Sequence, residues 1–409
     1  MSASAKVADS SIAEKASERK NYFDYRRDID DLTGIEVLET FEKFSQRDDV
    51  FCRALWDDDV SSQKVMDFYQ GYYMPNAKAR KSDGFSQRDY ALRNAAWHVC
   101  NVLREQKDGR KEGFHDHFTS HDDGWHEPYE FDSSEQATND IRKVAAFAGA
   151  DLVGICAYDE RWMYDGIYDT KGKCKPLDIP NDLPNVIVTG EAMDKDLTAT
   201  VPSALAGSAT GMGYTNDCVT LLTITQYIRN LGYRAYATMN DSALAVPLAV
   251  QAGLGEGGRH SLLITPEFGA RLRLGKIFTD MPLVHDKPKS FGVKAFCDIC
   301  NRCAKGCPPK AISFEAPSDL MFNRSNLKGV VKWSTDAEKC FKFWVNQNTD
   351  CSICIRVCPY NRDYSKWYNR VWQKLAGGRF RKLALWLDDK YNRRRRVKSA
   401  DWWQKKSVD

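Results

Sequence analysis

The sequence predicts an α/β (α+β) core preceded by a helical segment and followed by a small cysteine-rich domain. Three observations carry this expectation. Between Ser134 and Thr265, short apolar runs of strand length alternate with stretches of helical period. Ahead of them, from Tyr22 to about Arg104, aromatic and charged residues recur with helical spacing. After them, eight of the 13 cysteines fall between Cys297 and Cys358.

Composition narrows the class. The chain has 409 residues, of which 43% are hydrophobic and 12% aromatic, enough to bury a sizeable core in two domains or in one domain with an insert. A formal net charge of +3 is too small to argue for nucleic acid. No apolar run reaches the roughly 18 residues that a bilayer span needs, and the least polar stretch, Ala243 to Leu254, is interrupted by Pro247 and Gln251. The first residues run into mixed charge. Arg26-Arg27 is followed by Asp28, Asp30 and Asp31, which is incompatible with a twin-arginine export signal. A cytoplasmic, reducing location is expected, with membrane association peripheral at most.

In chain order, residues 1–20 are rich in Ser, Ala, Lys and Glu and read as a frayed end or a loose helix. The segment from Tyr22 to Arg104 carries Phe41, Phe44, Phe51, Trp56, Phe68, Tyr69, Tyr72 and Tyr73 and reads as helices lying over the rest. Residues 105–134 are polar and hold His115, His117, His121 and His126 among Asp116, Asp122 and Asp123. No period places those histidines on one face, so a solvated loop is favoured over a metal site or a lower axial ligand for a macrocycle.

The core then reads as a helix over Glu135–Gly149, strands at 151–156 and 185–189, a helix over 215–231, a strand at 233–238, a helix over 243–252 and a strand at 260–265. Such alternation implies a parallel or mixed sheet covered on both faces, with ligands near the carboxyl ends of the strands. Two glycine-rich stretches, Gly207-Ser208-Ala209-Thr210-Gly211-Met212-Gly213 and Gly253-Leu254-Gly255-Glu256-Gly257-Gly258, read as loops that let backbone approach a flat or bulky ligand. Neither fits G-x-G-x-x-G between a strand and a helix, so a nicotinamide site is not supported.

The cysteine stretch carries the sharpest chemistry. Cys297, Cys300, Cys303 and Cys307 followed by Pro308 have the C-x2-C-x2-C-x3-C-P spacing of two-cluster ferredoxins, and Cys340, Cys351, Cys354 and Cys358 followed by Pro359 complete the set. In that pattern three close thiolates hold one [4Fe–4S] cluster while the fourth crosses to the other. Cys297, Cys300, Cys303 and Cys358 are therefore assigned to one cluster, and Cys307, Cys340, Cys351 and Cys354 to the second. Zinc would favour two pairs of cysteines across a longer loop, and disulfides need an oxidising compartment. The other cysteines, Cys52, Cys100, Cys156, Cys174 and Cys218, are scattered and read mostly as buried small hydrophobes.

The tail after Asp363 carries Trp367, Trp372, Trp386, Trp402, Trp403 and the block Arg393–Arg396. An amphipathic basic segment of this kind suits an anionic membrane face or an acidic electron donor; a helical tail whose tryptophans cover the core is an equal reading.

Several segments together resemble one family. They are Ala150-Asp151-Leu152-Val153-Gly154-Ile155, Asp159-Glu160-Arg161-Trp162, Pro202 to Tyr214, Asn240 to Glu256, Leu262 to Gly269 and Gly275 to Leu283, with the two cysteine motifs. Over about residues 130–365 the chain resembles the corrinoid-dependent reductive dehalogenases. The resemblance implies a nitroreductase-like core that binds a base-off cobamide (cobalamin) and a ferredoxin-like domain with two [4Fe–4S] clusters. It implies the reaction R–X + 2e⁻ + H⁺ → R–H + X⁻ on a small organohalide, a halogenated phenol being one candidate. By motif, Tyr214 falls on the proton-donating tyrosine and Lys276 on its basic partner, with Arg273 and Asn240 as further catalytic candidates. An ammonium near a phenol favours the phenolate left behind. Gly207, Ser208, Gly211, Gly213, Gly253, Gly255 and Gly258 are the cobamide-binding candidates. No fused reductase is recognised, so an external low-potential donor of ferredoxin or flavodoxin type is expected.

The implied domains are 1–130 helical, 131–285 cobamide-binding, 286–365 ferredoxin-like and 366–409 a basic, Trp-rich tail. One rival is epoxyqueuosine reductase, which shares such a core but acts on tRNA and wants a basic RNA-binding face. Another is a plain electron-transfer module, which would leave Tyr214 and the glycine stretches without purpose.

Overall fold

The computed structural model describes residues 22–73, 79–106, 127–168, 174–177, 179–391 and 394–405. His115, His117, His121 and His126 lie outside the described residues, as does Arg393. The helices used below are α1 (Arg27–Thr33), α2 (Gln63–Gln70), α3 (Gln87–Gln106), α4 (Ser134–Ala148), α5 (Ala204–Asn230), α6 (Ala245–Gln251), α7 (Val293–Ile299), α8 (Arg302–Gly306), α9 (Ala337–Gln347), α10 (Ile353–Val357), α11 (Trp367–Gly377), α12 (Arg381–Tyr391) and α13 (Ser399–Gln404). The strands are β1 (Glu36–Val37), β2 (Leu152–Ala157), β3 (Ile167–Tyr168), β4 (Cys174–Lys175), β5 (Asn185–Ala192), β6 (Ala235–Thr238), β7 (Glu256–Gly257), β8 (Leu263–Ile264), β9 (Leu272–Thr279) and β10 (Val330–Val331). Among the described residues no helix is long and apolar enough to cross a membrane.

The central sheet has the order β2-β5-β9-β6. Every neighbouring pair in it is antiparallel, which corrects the expected parallel or mixed sheet. The expectation failed for a topological reason. Strands β5 and β6 do run the same way across α5, as strand–helix–strand alternation implies. They leave a gap one strand wide, and β9 enters it later in the opposite sense, with Val188, Lys276 and Thr238 side by side. Strand β9, LRLGKIFT, was not anticipated because two cations and Gly275 break its apolar run. The strand expected at 260–265 shrinks to β8, which pairs with β7 in a separate hairpin.

Residues on alternate sides of each strand fill two cores, as the pleat requires. Val186, Val188 and Phe278 join Trp162 and Leu248 on one side. Ile155, Ile187 and Ile277 meet Ile141 of α4 and Leu221 and Ile224 of α5 on the other. Helix α4 begins where the Ser133 side chain accepts from Gln136 N and ends at Gly149, whose φ of 107° suits glycine.

Helix α5 is 27 residues long and starts at the Ser203 cap. It contains Gly207, Ser208, Gly211 and Gly213, so the first glycine stretch is not a loop. Glycine weakens a helix by about 1 kcal/mol relative to alanine, but here it permits close approach. A Cβ on Gly207 would lie 2.5 Å from Asp350 Oδ1, and one on Gly211 would lie 2.4 Å from the Trp97 ring of α3. In the second stretch, a Cβ on Gly255 would meet the Ile264 carbonyl at 2.1 Å, so that glycine is needed by the β7–β8 hairpin itself.

The segment 22–104 is less helical than its spacing suggested. Between Gly34 and Ser62 it is mostly irregular, with β1 paired to β10 of the cysteine-rich region. Its aromatics dock individually instead: Phe41 packs edge-on against Trp162 at 5.9 Å. Arg161, fully buried, ties α1 to the core by pairing with Asp30 at 2.5 Å and Asp159 at 2.8 Å.

The C-terminal segment is folded onto the protein. Trp372 of α11 is buried against Phe296 and Tyr360, and its indole donates to Ala384 O of α12 at 2.9 Å. Beyond α12, Arg396 donates to Thr200 O at 2.9 Å, and Trp403 of α13 donates to Asp89 at 2.9 Å.

Candidate functional site

Tyr214 sits on α5 where the helix passes β9 and the end of β6. Its hydroxyl oxygen accepts from Arg273 Nη1 at 3.2 Å and from the Asn240 side-chain amide. The guanidinium also lies 5.2 Å from the Tyr214 ring centre. Close contact is possible because residue 213 is glycine: a Cβ there would lie 2.8 Å from Arg273 Cγ. A permanent cation and an amide donor aimed at one phenol oxygen stabilise the phenolate that proton donation leaves.

Lys276 is elsewhere. The pleat of β9 points Arg273 and Gly275 toward α5, and Lys276 to the opposite side with Leu274 and Phe278. Its ammonium is fully buried and donates to Met239 O, so Arg273 rather than Lys276 is the cation bonded to Tyr214. Burial lowers the Lys276 pKa to about 8, with Asp241 and Asp217 opposing the shift. The Met239–Asp241 turn is fixed further by Asp241 Oδ1, which accepts from Met239 N at 3.1 Å, and by the Tyr164 hydroxyl, which donates to Asn240 O at 3.0 Å. Lys276 therefore holds the turn that presents Asn240.

An aromatic wall stands beside Tyr214. Trp97 lies 4.8 Å from it between ring centres, and Tyr72 lies 5.6 Å from Trp97. The Tyr72 hydroxyl reaches Asp350 at 3.3 Å, next to Cys351. One turn along α5, buried Asp217 is pushed up to about 8 by burial and then by Glu191, and buried Glu191 is pushed up to about 7 chiefly by burial. The sequence reading missed Tyr164, Trp97, Asp217 and Glu191. Their helix and strand neighbours gave no local signal, because each of these four comes from a segment distant in sequence from the other three.

The clustered cysteines form two groups. Cys297 of α7, Cys300, Cys303 of α8 and Cys358 line one cavity with Arg259, His260, Phe296, Pro359 and Tyr360. Arg259 anchors this wall by donating to Cys297 O at 3.0 Å. Cys307 packs with Cys340 of α9 and Cys354 of α10, and Cys351 is an electrostatic neighbour of Cys340 and Cys307. Burial, reinforced by adjacent sulfurs, pushes Cys303, Cys340 and Cys351 up to about 12. Thiols so placed ionise when a metal supplies compensating charge. Among the described residues, no three His, Cys, Asp or Glu side chains converge as a single-ion site. All-sulfur sets around a shared space suit a cluster by donor chemistry.

Comparison with known proteins agrees with this division. Residues 165–283 match the family model described as reductive dehalogenase subunit, and residues 296–361 match a 4Fe-4S double cluster binding domain. Residues 165–283 thus form a domain similar to the reductive dehalogenases. That domain's curated relatives include the tetrachloroethene reductive dehalogenases of Desulfitobacterium hafniense, 36% identical over 277 residues, and of Sulfurospirillum multivorans, 38% identical over 255 residues. These alignments cover 57% and 56% of this chain and 50% of each relative, so the chain spans about half the length of the curated relatives it matches. An epoxyqueuosine reductase of Listeria monocytogenes is 34% identical over 119 residues, 29% of this chain and 30% of that protein. A solved catabolic reductive dehalogenase superposes with a TM-score of 0.68 over 88% of this chain and 48% of its own, at 24% identity, which establishes a shared fold. The fold class and the family resemblance read from the sequence both hold over the matched domains.

Proposed function

We propose that the protein is a reductive dehalogenase: it removes halide from a small organohalide with electrons relayed through two [4Fe–4S] clusters to a bound corrinoid. The observation that carries this reading is the convergence of Arg273 and Asn240 on the Tyr214 hydroxyl. Cys297, Cys300, Cys303 and Cys358 would hold one cluster, and Cys307, Cys340, Cys351 and Cys354 the other.

The fit of a corrinoid rests on buried polar atoms that lack partners within the protein. Trp97 Nε1 on α3, whose ring packs against Tyr214, and Ser208 Oγ, six residues before Tyr214 on α5, are both in this state. The fringe of amides on a corrin ring offers donors and acceptors to such groups. These two residues would hold it, with the glycine positions of α5 and of the β7–β8 hairpin keeping nearby backbone close. A reduced corrinoid supplies the low-potential cobalt centre at which the carbon–halogen bond is cleaved.

The chain's own residues supply the proton. Tyr214 Oη donates it to the carbon that loses halide. Arg273 stabilises the resulting phenolate, and Asn240 keeps its amide on the same oxygen. Trp97 and Tyr72 wall the site with apolar surface, which strengthens the charge interaction by excluding water. The Arg273 guanidinium also suits an anionic group on the substrate, which favours a halogenated phenol. A haloalkene, the substrate named for the curated relatives, is the contrasting case.

The test is anaerobic reconstitution with cobalamin, iron and sulfide, followed by halide release from a panel of halophenols and haloalkenes under dithionite. Release from either class supports the reading. A protein that retains iron but neither binds cobalamin nor releases halide overturns it.

A further inference from the structure

Helices α11 and α12 lie directly over the first cysteine group. The inner edge of α12 presents Ala384 and Asp388, four residues apart and both buried. The Asp388 carboxylate accepts from Arg394 at 2.9 Å, contacts Arg302 at 3.3 Å and is bonded by Arg362. Asp388 and Arg394 are electrostatic neighbours of both Cys300 and Cys358. The cavity lined by Cys297, Cys300, Cys303 and Cys358 therefore lies beneath α12, separated from its outer face by the helix, roughly 10–12 Å across, and by the arginine cluster around Asp388.

That outer face has a definite character. Lys382, Trp386 and Lys390 recur every four residues opposite the buried Ala384–Asp388 edge, so they form one exposed stripe. Trp386 is 52% exposed, with the Lys390 ammonium 5.0 Å above its ring. On α11, Trp367, 74% exposed, and Lys374 continue the surface. The exposed carboxylate of the pair, Asp389, is engaged by Arg302 and leaves the face basic. Exposed tryptophans flanked by lysines on the same helix faces have the makings of a protein interface, aromatic anchors beside charged groups. The complementary partner is acidic.

We propose that the outer face of α11 and α12 is the docking surface for a small acidic electron-carrier protein, which reduces the cluster at Cys297, Cys300, Cys303 and Cys358. This rests on the dehalogenase reading and names its electron entry. Each docking passes one electron from the reduced carrier to the cluster, and the oxidised carrier leaves. Two dockings supply the two electrons that one halide removal consumes, and Tyr214 supplies the proton. The second cysteine group lies toward the reaction site, since Asp350 beside Cys351 contacts Tyr72 and the Tyr72–Trp97–Tyr214 rings follow.

The experiment uses the full chain reconstituted with both clusters and cobalamin, with a reduced flavodoxin as the probe and cluster bleaching as the readout. Lys382→Glu combined with Lys390→Glu is expected to slow reduction by flavodoxin about tenfold or more and to flatten its dependence on salt. Trp386→Ala is expected to slow it by raising the dissociation rate. Iron content and reduction by dithionite stay at the parent value. Equal flavodoxin rates in parent and variants overturn the proposal. So does loss of binding to phosphatidylserine vesicles with an unchanged flavodoxin rate, which would assign the face to a membrane. Halide release under dithionite tests the dehalogenase reading separately, because it bypasses the docking surface.

Discussion

Arg273 and Tyr214 meet across the seam between β9 and α5, with the guanidinium Nη1 3.2 Å from the phenol oxygen. The contact depends on the antiparallel insertion of β9 beside β5, which sets Arg273 opposite Glu191 on the side facing α5.

If this contact serves proton donation, Tyr214→Phe should abolish halide release, a loss of at least about 100-fold for a general acid, with iron and cobalamin content unchanged. Arg273→Met should lower kcat strongly, while Arg273→Lys recovers part of it because the charge but not the fork geometry is kept. Full activity in Tyr214→Phe would remove Tyr214 from the reaction.

The buried carboxyls should be visible in the pH dependence of stability. The native pKa values of Asp217 and Glu191 are raised to about 8 and about 7, so between their unfolded values near 4 and these limits the folded state binds more protons. Their contribution is complete below about pH 4 and is lost as pH rises toward 8. Asp217→Asn should flatten this slope, gaining on the order of a few kcal/mol at pH 8 relative to pH 5. Urea unfolding at the two values measures it, and an unchanged slope would contradict the burial argument.

Cys300→Ser should lose about half of the bound iron, the share of one of two clusters. Cys156→Ser should keep all of it, since Cys156 lies in the core beside Val186 and Phe278. Iron assay and the spectrum of the reduced protein distinguish the two.

Among the glycines, Gly211→Ala should destabilise by about 1–3 kcal/mol, because its Cβ would lie 2.4 Å from Trp97 and overpacking outweighs the gain in helix propensity. Gly257→Ala, with nothing within 4 Å of the new Cβ, should be close to neutral. Thermal unfolding of the pair gives the contrast.

The sequence by itself determined the cysteine pattern and put forward Tyr214, Arg273 and Asn240 as candidates, but not Trp97, Tyr164, Asp217 or Glu191 beside them. Ligand spacing is a local property, so the cysteine motifs at 297–308 and 351–359 were readable without a fold. Helix α4, with its Gly149 stop, was readable for the same reason, while its Ser133 cap came from the structure. Tertiary structure decided which residues meet. Arg273 and Lys276 are three apart on a strand, and only the pleat of β9 and the side on which α5 packs send one to Tyr214 and the other to Met239. Glycines that resemble a ligand loop became a helix face because α3 and Asp350 press against them. The basic tail became a lid over four cysteines because Asp388 offered three arginines a buried partner. Pairings of this kind join segments distant in sequence, and their energy comes from burial and charge in the assembled protein, where no local period records it.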